Sequence, residues 1–224
     1  MSTNKTTKEE ILHQEEVIAS VSKSDEFYNA HKKTIWTVVC AVVVVALGVL
    51  AYGKWVYTPS VKAAQAAAFP AEMAFQQGEF ELALAGDGNN LGFADVIDSY
   101  GSKAGASVYL YAGACAAQLG NWQDAIDYLS KYKGKDKILS ARALALQGDC
   151  YSALEDYSTA LKFYRKAVAA ADNMFAASYL VKAGQVCLKL GDKQGALDAF
   201  NTVKDKYPQS IEGYEIAKYI EEAK

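Results

Sequence analysis

The chain has 224 residues, a formal net charge of −3, and a composition that is 51% hydrophobic and 22% charged. That balance excludes the concentrated basic footprint on which a nucleic-acid binder depends. Only three prolines occur, alanine is abundant, and Tyr and Phe recur without alternation. A strand-rich fold is therefore excluded and an all-α protein is predicted.

Residues 1–33 are polar and rich in Lys and Glu. They are too long and too acidic for the n-region of a cleaved signal peptide. Residues 9–28 either form a helix with Ile11, Ile18, Val21 and Tyr28 on one face, suited to a membrane surface or a partner, or remain a solvated tail. Residues 34–57 read TIWTVVCAVVVVALGVLAYGKWVY, with no charge from Ile35 to Tyr52. About 20 apolar residues in a helix cross a bilayer core, so a single transmembrane signal anchor is predicted. Trp36 at one end, and Tyr52, Trp55 and Tyr57 at the other, suit the two headgroup levels. Lys54 reaches the interface on its long stem. Lys23, Lys32 and Lys33 on one side against Lys54 and Lys62 on the other favour a cytoplasmic N-terminus.

Beyond Pro59 the pattern turns to helices punctuated by glycine. Three segments align: GACAAQLGNWQDAIDYL from Gly113, GDCYSALEDYSTALKFY from Gly148 and GQVCLKLGDKQGALDAF from Gly184. The glycines stand 35 and 36 residues apart, and Ala125, Ala160 and Ala196 repeat those steps, as do Leu129, Tyr164 and Phe200. A period near 34 with this small–aromatic pattern resembles the tetratricopeptide repeat, a helix-turn-helix unit. The resemblance covers residues 106–208, with Pro208 at the closing position. A mid-helix glycine costs about 1 kcal/mol against alanine, so its recurrence at one register implies close helix approach. Gly120-Asn121 and Gly191-Asp192 supply turn chemistry, whereas the middle repeat has Glu155-Asp156 there. Each helix pair buries its apolar face only by stacking on its neighbours.

Residues 58–105 read as a degenerate first unit with an inserted loop, LAGDGNNLGF, and a short apolar helix, Phe93 to Tyr100. Residues 209–224 read as a cap helix whose apolar face is Ile211, Tyr214, Ala217 and Ile220, covering the open end of the solenoid.

A search for chemistry is negative. Both histidines, His13 and His31, precede the apolar segment, so the repeats hold no His-based triad or HExxH zinc site. GDGNNLG lacks the flanking strand of a dinucleotide site. Asp87, Asn89, Gly92 and Asp98 fall at calcium-loop offsets, but Leu91 occupies a ligand position and Asp replaces the bidentate Glu, so a plain loop is expected. Cys115, Cys150 and Cys187 share one register on packed helices some 8–10 Å apart, too far for a disulfide. They read as small core residues, with Cys40 in the anchor. No cofactor, metal or small-molecule substrate is implied, and the chain reads as a non-enzyme.

Function is then expected in a binding surface. In tetratricopeptide proteins the first helices line a concave groove. Carried over by register, the groove holds Leu110, Tyr111, Ala114 and Gln118, then Arg142, Leu146 and Asp149, then Lys182, Gln185 and Lys189. Relatives that clamp a peptide carboxylate use Lys and Asn there. Ala114, Asp149 and Gln185 occupy the Asn register, so the clamp is not expected. Tyr111, Arg142 and Lys182 are the expected working residues, outside the stacking core.

The whole layout of tail, anchor, degenerate unit, three repeats and cap resembles the YfgM-like bacterial membrane proteins. ALAGDGNNLGFADVIDSYGSKAG and GDKQGA at residues 191–196 carry that likeness. It implies a single-pass inner-membrane protein with a cytoplasmic N-terminus and a periplasmic repeat domain. The implied role is ancillary to the Sec translocon and to periplasmic chaperones handling exported proteins. Rival readings are a cytosol-facing import receptor like those of the mitochondrial outer membrane, an assembly factor of another membrane complex, and an enzyme whose site is not visible in sequence.

Overall fold

A computed structural model describes residues 3–224, with side chains from Tyr28 onward. The chain divides into two compact units, residues 1–58 and 59–224.

The first unit is helix α1, Thr3–Tyr52, ending in a π-helical turn, Gly53–Tyr57. Its helix runs on through Lys33 and Thr34, so the change from polar to apolar sequence there is no break in the backbone. The apolar face expected of Ile11, Ile18 and Val21 lies outside the described side chains. Val38, Val42, Val44, Val45, Val49 and Leu50 are all exposed. The helix is long and apolar enough to cross a membrane. At the first end of its apolar stretch, Trp36 Nε1 donates to Tyr28 Oη at 3.1 Å. At the other, Lys54, Trp55 and Tyr57 stand on the π turn, where Thr58 donates from both N–H and Oγ1 to the Gly53 carbonyl. The wider turn re-aims these side chains relative to a continuous α-helix, a detail that no residue period reveals.

The second unit is a stack of helix hairpins, with no strand among the described residues. The pairs are α5 (Ala106–Gln118) with α6 (Trp122–Ser130), α7 (Lys137–Ala153) with α8 (Tyr157–Ala170), and α9 (Ala176–Lys189) with α10 (Lys193–Lys206). Between pairs, α6 packs on α7 and α8 on α9, and α11 (Ile211–Glu222) closes on α10 and α9.

One turn design joins each hairpin. The first helix ends on a residue with positive φ: Gly120 at 79°, Glu155 at 62° and Gly191 at 76°. The next residue, Asn121, Asp156 or Asp192, donates its N–H to a carbonyl five residues back, each at 2.9 Å. This is the Schellman closure, which satisfies carbonyls that the helix end would otherwise orphan. Asp156 and Asp192 then cap the following helix by accepting from Thr159 N and Gly195 N at 3.1 and 2.9 Å.

The repeated glycines sit where the two helices of a pair touch. A Cβ on Gly113 would fall 2.5 Å from Leu129 Cγ, on Gly148 2.7 Å from Tyr164 Cε1, and on Gly184 2.6 Å from Phe200 Cζ. The small residue thus makes the socket for the large one of the same repeat. Ala125, Ala160 and Ala196 are fully buried beside it.

The degenerate unit starts on the same plan. Helix α2, Thr58–Gln77, ends at Gly78 with φ 80°, and Glu79 N donates to Ala74 O at 2.9 Å. Its second helix, α3, stops after six residues, Phe80–Ala85. A loop then folds back through a bridge between Gly86 and Leu91. Asp87 Oδ1 accepts from the N–H of Asn89 and Asn90 at 2.9 and 2.6 Å, and its Oδ2 accepts from Asn90 Nδ2 at 3.0 Å. These donors hold the Asp87 carboxyl below its ordinary value. Both oxygens thus close the loop itself. Helix α4, Phe93–Tyr100, then buries Phe93, Val96 and Ile97 against α2 and α5 residues.

The cap helix departs from expectation. Ile211, Tyr214 and Ala217 face solvent, Ile211 and Tyr214 at 80% and 78% exposure. The buried face is Ile216 and Ala223, with Tyr219 and Ile220 packed against them. Tyr219 lies 5.6 Å from the Phe200 ring. Two apolar stripes share this helix, and contact with α9 and α10 decides between them.

Candidate functional site

The first helices of the pairs, α5, α7 and α9, present one face each to a common groove of about 600 Å³. From α5 come Leu110, Tyr111, Ala114 and Gln118. From α7 come Ile138, Leu139, Arg142, Ala145, Leu146 and Asp149. Phe175, Tyr179 and Lys182 come from α9 and its N-cap, and Phe75 and Phe80 from α2 and α3. Eight of the ten residues named from sequence therefore meet at one cavity. Gln185 and Lys189 do not: they line a neighbouring cavity of about 500 Å³ with Tyr157, Tyr164 and Glu222. Lys182 borders both.

The reason is an ion pair. Lys182 Nζ lies 2.7 Å from each oxygen of Asp149, and Tyr164 Oη donates to Asp149 Oδ1 at 2.7 Å. Lys182 is thus drawn across from α9 to α7 and stands between the cavities. Burial, with the Asp149 charge behind it, pushes the Tyr164 hydroxyl far above its ordinary value. The network ties α7, α8 and α9 together, so Lys182 is a stitch in the solenoid as much as a groove cation. Tyr111 is likewise tied into packing. Its ring lies 5.0 Å from Phe75 and is stacked 5.7 Å from Phe93. The expectation that Tyr111 and Lys182 stand apart from the stacking core is corrected by these contacts.

Arg142 differs from both. It is exposed, and no carboxylate pairs with it among the described residues. Its positive charge reaches Tyr179, whose hydroxyl is nonetheless raised because burial outweighs that attraction. Around Arg142 stand exposed apolar side chains: Ile138 at 46%, Leu139 at 38% and Phe175 at 52%. Sequence reading passed over these three, yet a signal existed. Ile138, Arg142, Ala145 and Asp149 follow a helical face at steps of four and three, and so do Phe175, Tyr179 and Lys182. Phe75 and Phe80 carried no such signal, because the degenerate unit breaks the repeat register.

No group of three or more metal-ligating side chains occurs among the described residues. The three repeat cysteines are free and buried. Burial pushes Cys115 up to about 12 and Cys150 up to about 11, which keeps both thiols protonated at neutral pH.

With this geometry in hand, comparison with known proteins decides the fold. A family model described as tetratricopeptide repeat matches residues 107–136 and 179–210. The fold is a tetratricopeptide-repeat solenoid. The matched segments hold all of α6 and α10 and most of α5 and α9, and the middle repeat with its Glu155 turn lies between them. Two solved crystal structures of MamA are similar. One is 22% identical with a TM-score of 0.53, covering 68% of this chain and 91% of that chain. The other is 21% identical with a TM-score of 0.54, covering 73% and 86%. At this identity the likeness concerns the fold alone. No curated protein matches the chain. The tetratricopeptide repeats support a protein-interaction scaffold.

Proposed function

We propose that the protein is a membrane-anchored scaffold that holds a partner polypeptide in the groove formed by α5, α7 and α9. One observation carries this reading: an open groove of about 600 Å³ whose walls combine exposed Ile138, Leu139 and Phe175 with an Arg142 that no carboxylate pairs among the described residues. Exposed apolar contact area beside a guanidinium is the composition of interface hot spots. The apolar stretch of α1, whose side chains from Val38 to Leu50 are exposed, serves as the anchor, with Trp36 and Trp55 at the two headgroup levels.

The finer reading rests on the YfgM-like layout. The anchor crosses a bacterial inner membrane once, the N-terminus lies in the cytoplasm, and the repeats work in the periplasm. The partners are the Sec translocon, periplasmic chaperones or exported chains passing between them. Two experiments test these statements. In the first, full-length protein carrying Arg142→Ala with Phe175→Ala is compared with a variant lacking residues 1–30 for capture of co-purifying chains in mild detergent. The groove variant loses capture; full capture by it, with loss in the tail deletion, refutes the groove. In the second, protease added to spheroplasts digests the repeats, and their protection would place them in the cytosol instead.

A further inference from the structure

We infer that the groove accepts an internal stretch of polypeptide in which one Asp or Glu stands between apolar residues, the carboxylate docking on Arg142. The inference rests on reading the groove as the partner site and adds the chemistry of the partner.

Among the described residues, three charged groups line the groove: Arg142, Asp149 and Lys182. Two of them, Asp149 and Lys182, satisfy each other with both carboxylate oxygens at 2.7 Å from Nζ. Arg142 is left with the net charge, and a planar guanidinium selects a carboxylate in a two-point contact. Lys182 does not compete for it, because Asp149 already holds its ammonium and repels a second carboxylate.

The position of Arg142 along the groove sets the form of the partner. Arg142 lies on α7, the middle of the three first helices. On one side, α2 and α3 offer the half-buried Phe75 and Phe80; on the other, the start of α9 offers the exposed Phe175. A chain ending in a carboxylate at Arg142 would leave one apolar half unfilled. A chain that passes through, with its acidic side chain at the centre, covers both halves and removes their apolar surface from water.

The test uses full-length protein in lipid nanodiscs and three dye-labelled synthetic peptides, of which the first two are acetylated and amidated so that only side chains carry charge. One peptide has a central Glu flanked by Leu and Phe, and a second has Gln in its place. A third, with no acidic side chain, ends in a free carboxylate. The Glu peptide is expected to bind about three- to tenfold more tightly than the Gln peptide, and added salt shrinks that ratio. Arg142→Gln removes the ratio, because it weakens the Glu peptide more than the Gln peptide. Phe175→Ala weakens both. Equal binding of the Glu and Gln peptides overturns the inference. So does a ratio that survives Arg142→Gln, or equally tight binding of the free-carboxylate peptide. In those cases a persisting effect of Phe175→Ala leaves the groove itself standing as a peptide site. No binding by any peptide overturns the inference as well, while the groove reading is then judged by the capture experiment above. If Phe175→Ala and Leu139→Ala both leave peptide binding unchanged, the groove reading falls with it.

Discussion

Gly148→Ala isolates the contact that sets the spacing inside the central hairpin. In an unpacked helix the change stabilises by about 1 kcal/mol, because alanine loses less backbone freedom on folding. Here the new methyl would lie 2.7 and 2.8 Å from Tyr164 Cε1 and Cδ1, inside van der Waals contact. The ring has little freedom to yield, since Tyr164 is 3% exposed and its hydroxyl is bonded to Asp149 at 2.7 Å. Overpacking of a tight core contact costs about 1–3 kcal/mol. Weakening a hydrogen bond to a charged acceptor adds to that cost. The net expectation is a loss of about 1–2 kcal/mol. It corresponds to a Tm lower by about 2–4 °C for each kcal/mol in a domain of this size. The assay is thermal and urea unfolding of the 59–224 fragment, the second compact unit, followed by circular dichroism. Tyr164→Leu supplies the internal control: in that background the methyl finds room, and Gly148→Ala becomes neutral or stabilising. A gain of the full helix-propensity term in the wild-type background would refute the close approach.

Three other expectations follow from the same hairpins. Glu155→Gly replaces the one non-glycine residue with positive φ among the described residues by the residue that Gly120 and Gly191 use at the same turn. Left-handed backbone costs a non-glycine roughly 1–2 kcal/mol, offset in part by the greater freedom of unfolded glycine, so a gain of about 0.5–1 kcal/mol is expected in urea unfolding. A lower midpoint would refute it. Hydrogen bonds from Thr159 hold the Asp156 carboxyl below its ordinary value. A depressed carboxyl stabilises the fold above its unfolded value and loses that contribution as pH falls through its folded value. The melting-temperature difference between wild type and Asp156→Ala should therefore be full at neutral pH and shrink below about pH 4; a constant difference would show that the cap does not titrate with folding. A thiol reagent at neutral pH should leave Cys115, Cys150 and Cys187 unmodified in the folded fragment and modify all three after urea, and rapid reaction in the native state would contradict their burial.

The repeat register was legible because it is a local property. Gly113, Gly148 and Gly184 recur with Leu129, Tyr164 and Phe200 at one interval, and each glycine meets the large residue of its own hairpin. Contacts between helices close in sequence follow from the helical period and a short turn, and both can be read along the chain. The apolar run of residues 35–52 is equally local, since hydropathy needs no partner. Tertiary structure decided the rest. Helix α11 carries two apolar stripes, and only the surface of α9 and α10 buries Ile216 rather than Ile211. Lys182 and Asp149 stand 33 residues apart, and no periodicity signals that they neutralise each other and split one expected groove into two cavities. Arg142 therefore keeps the uncompensated charge in the groove only because of a pairing between other residues. Charge neutralisation depends on distance through space, falling off over a few ångströms, and distance between repeats is set by how the helices stack.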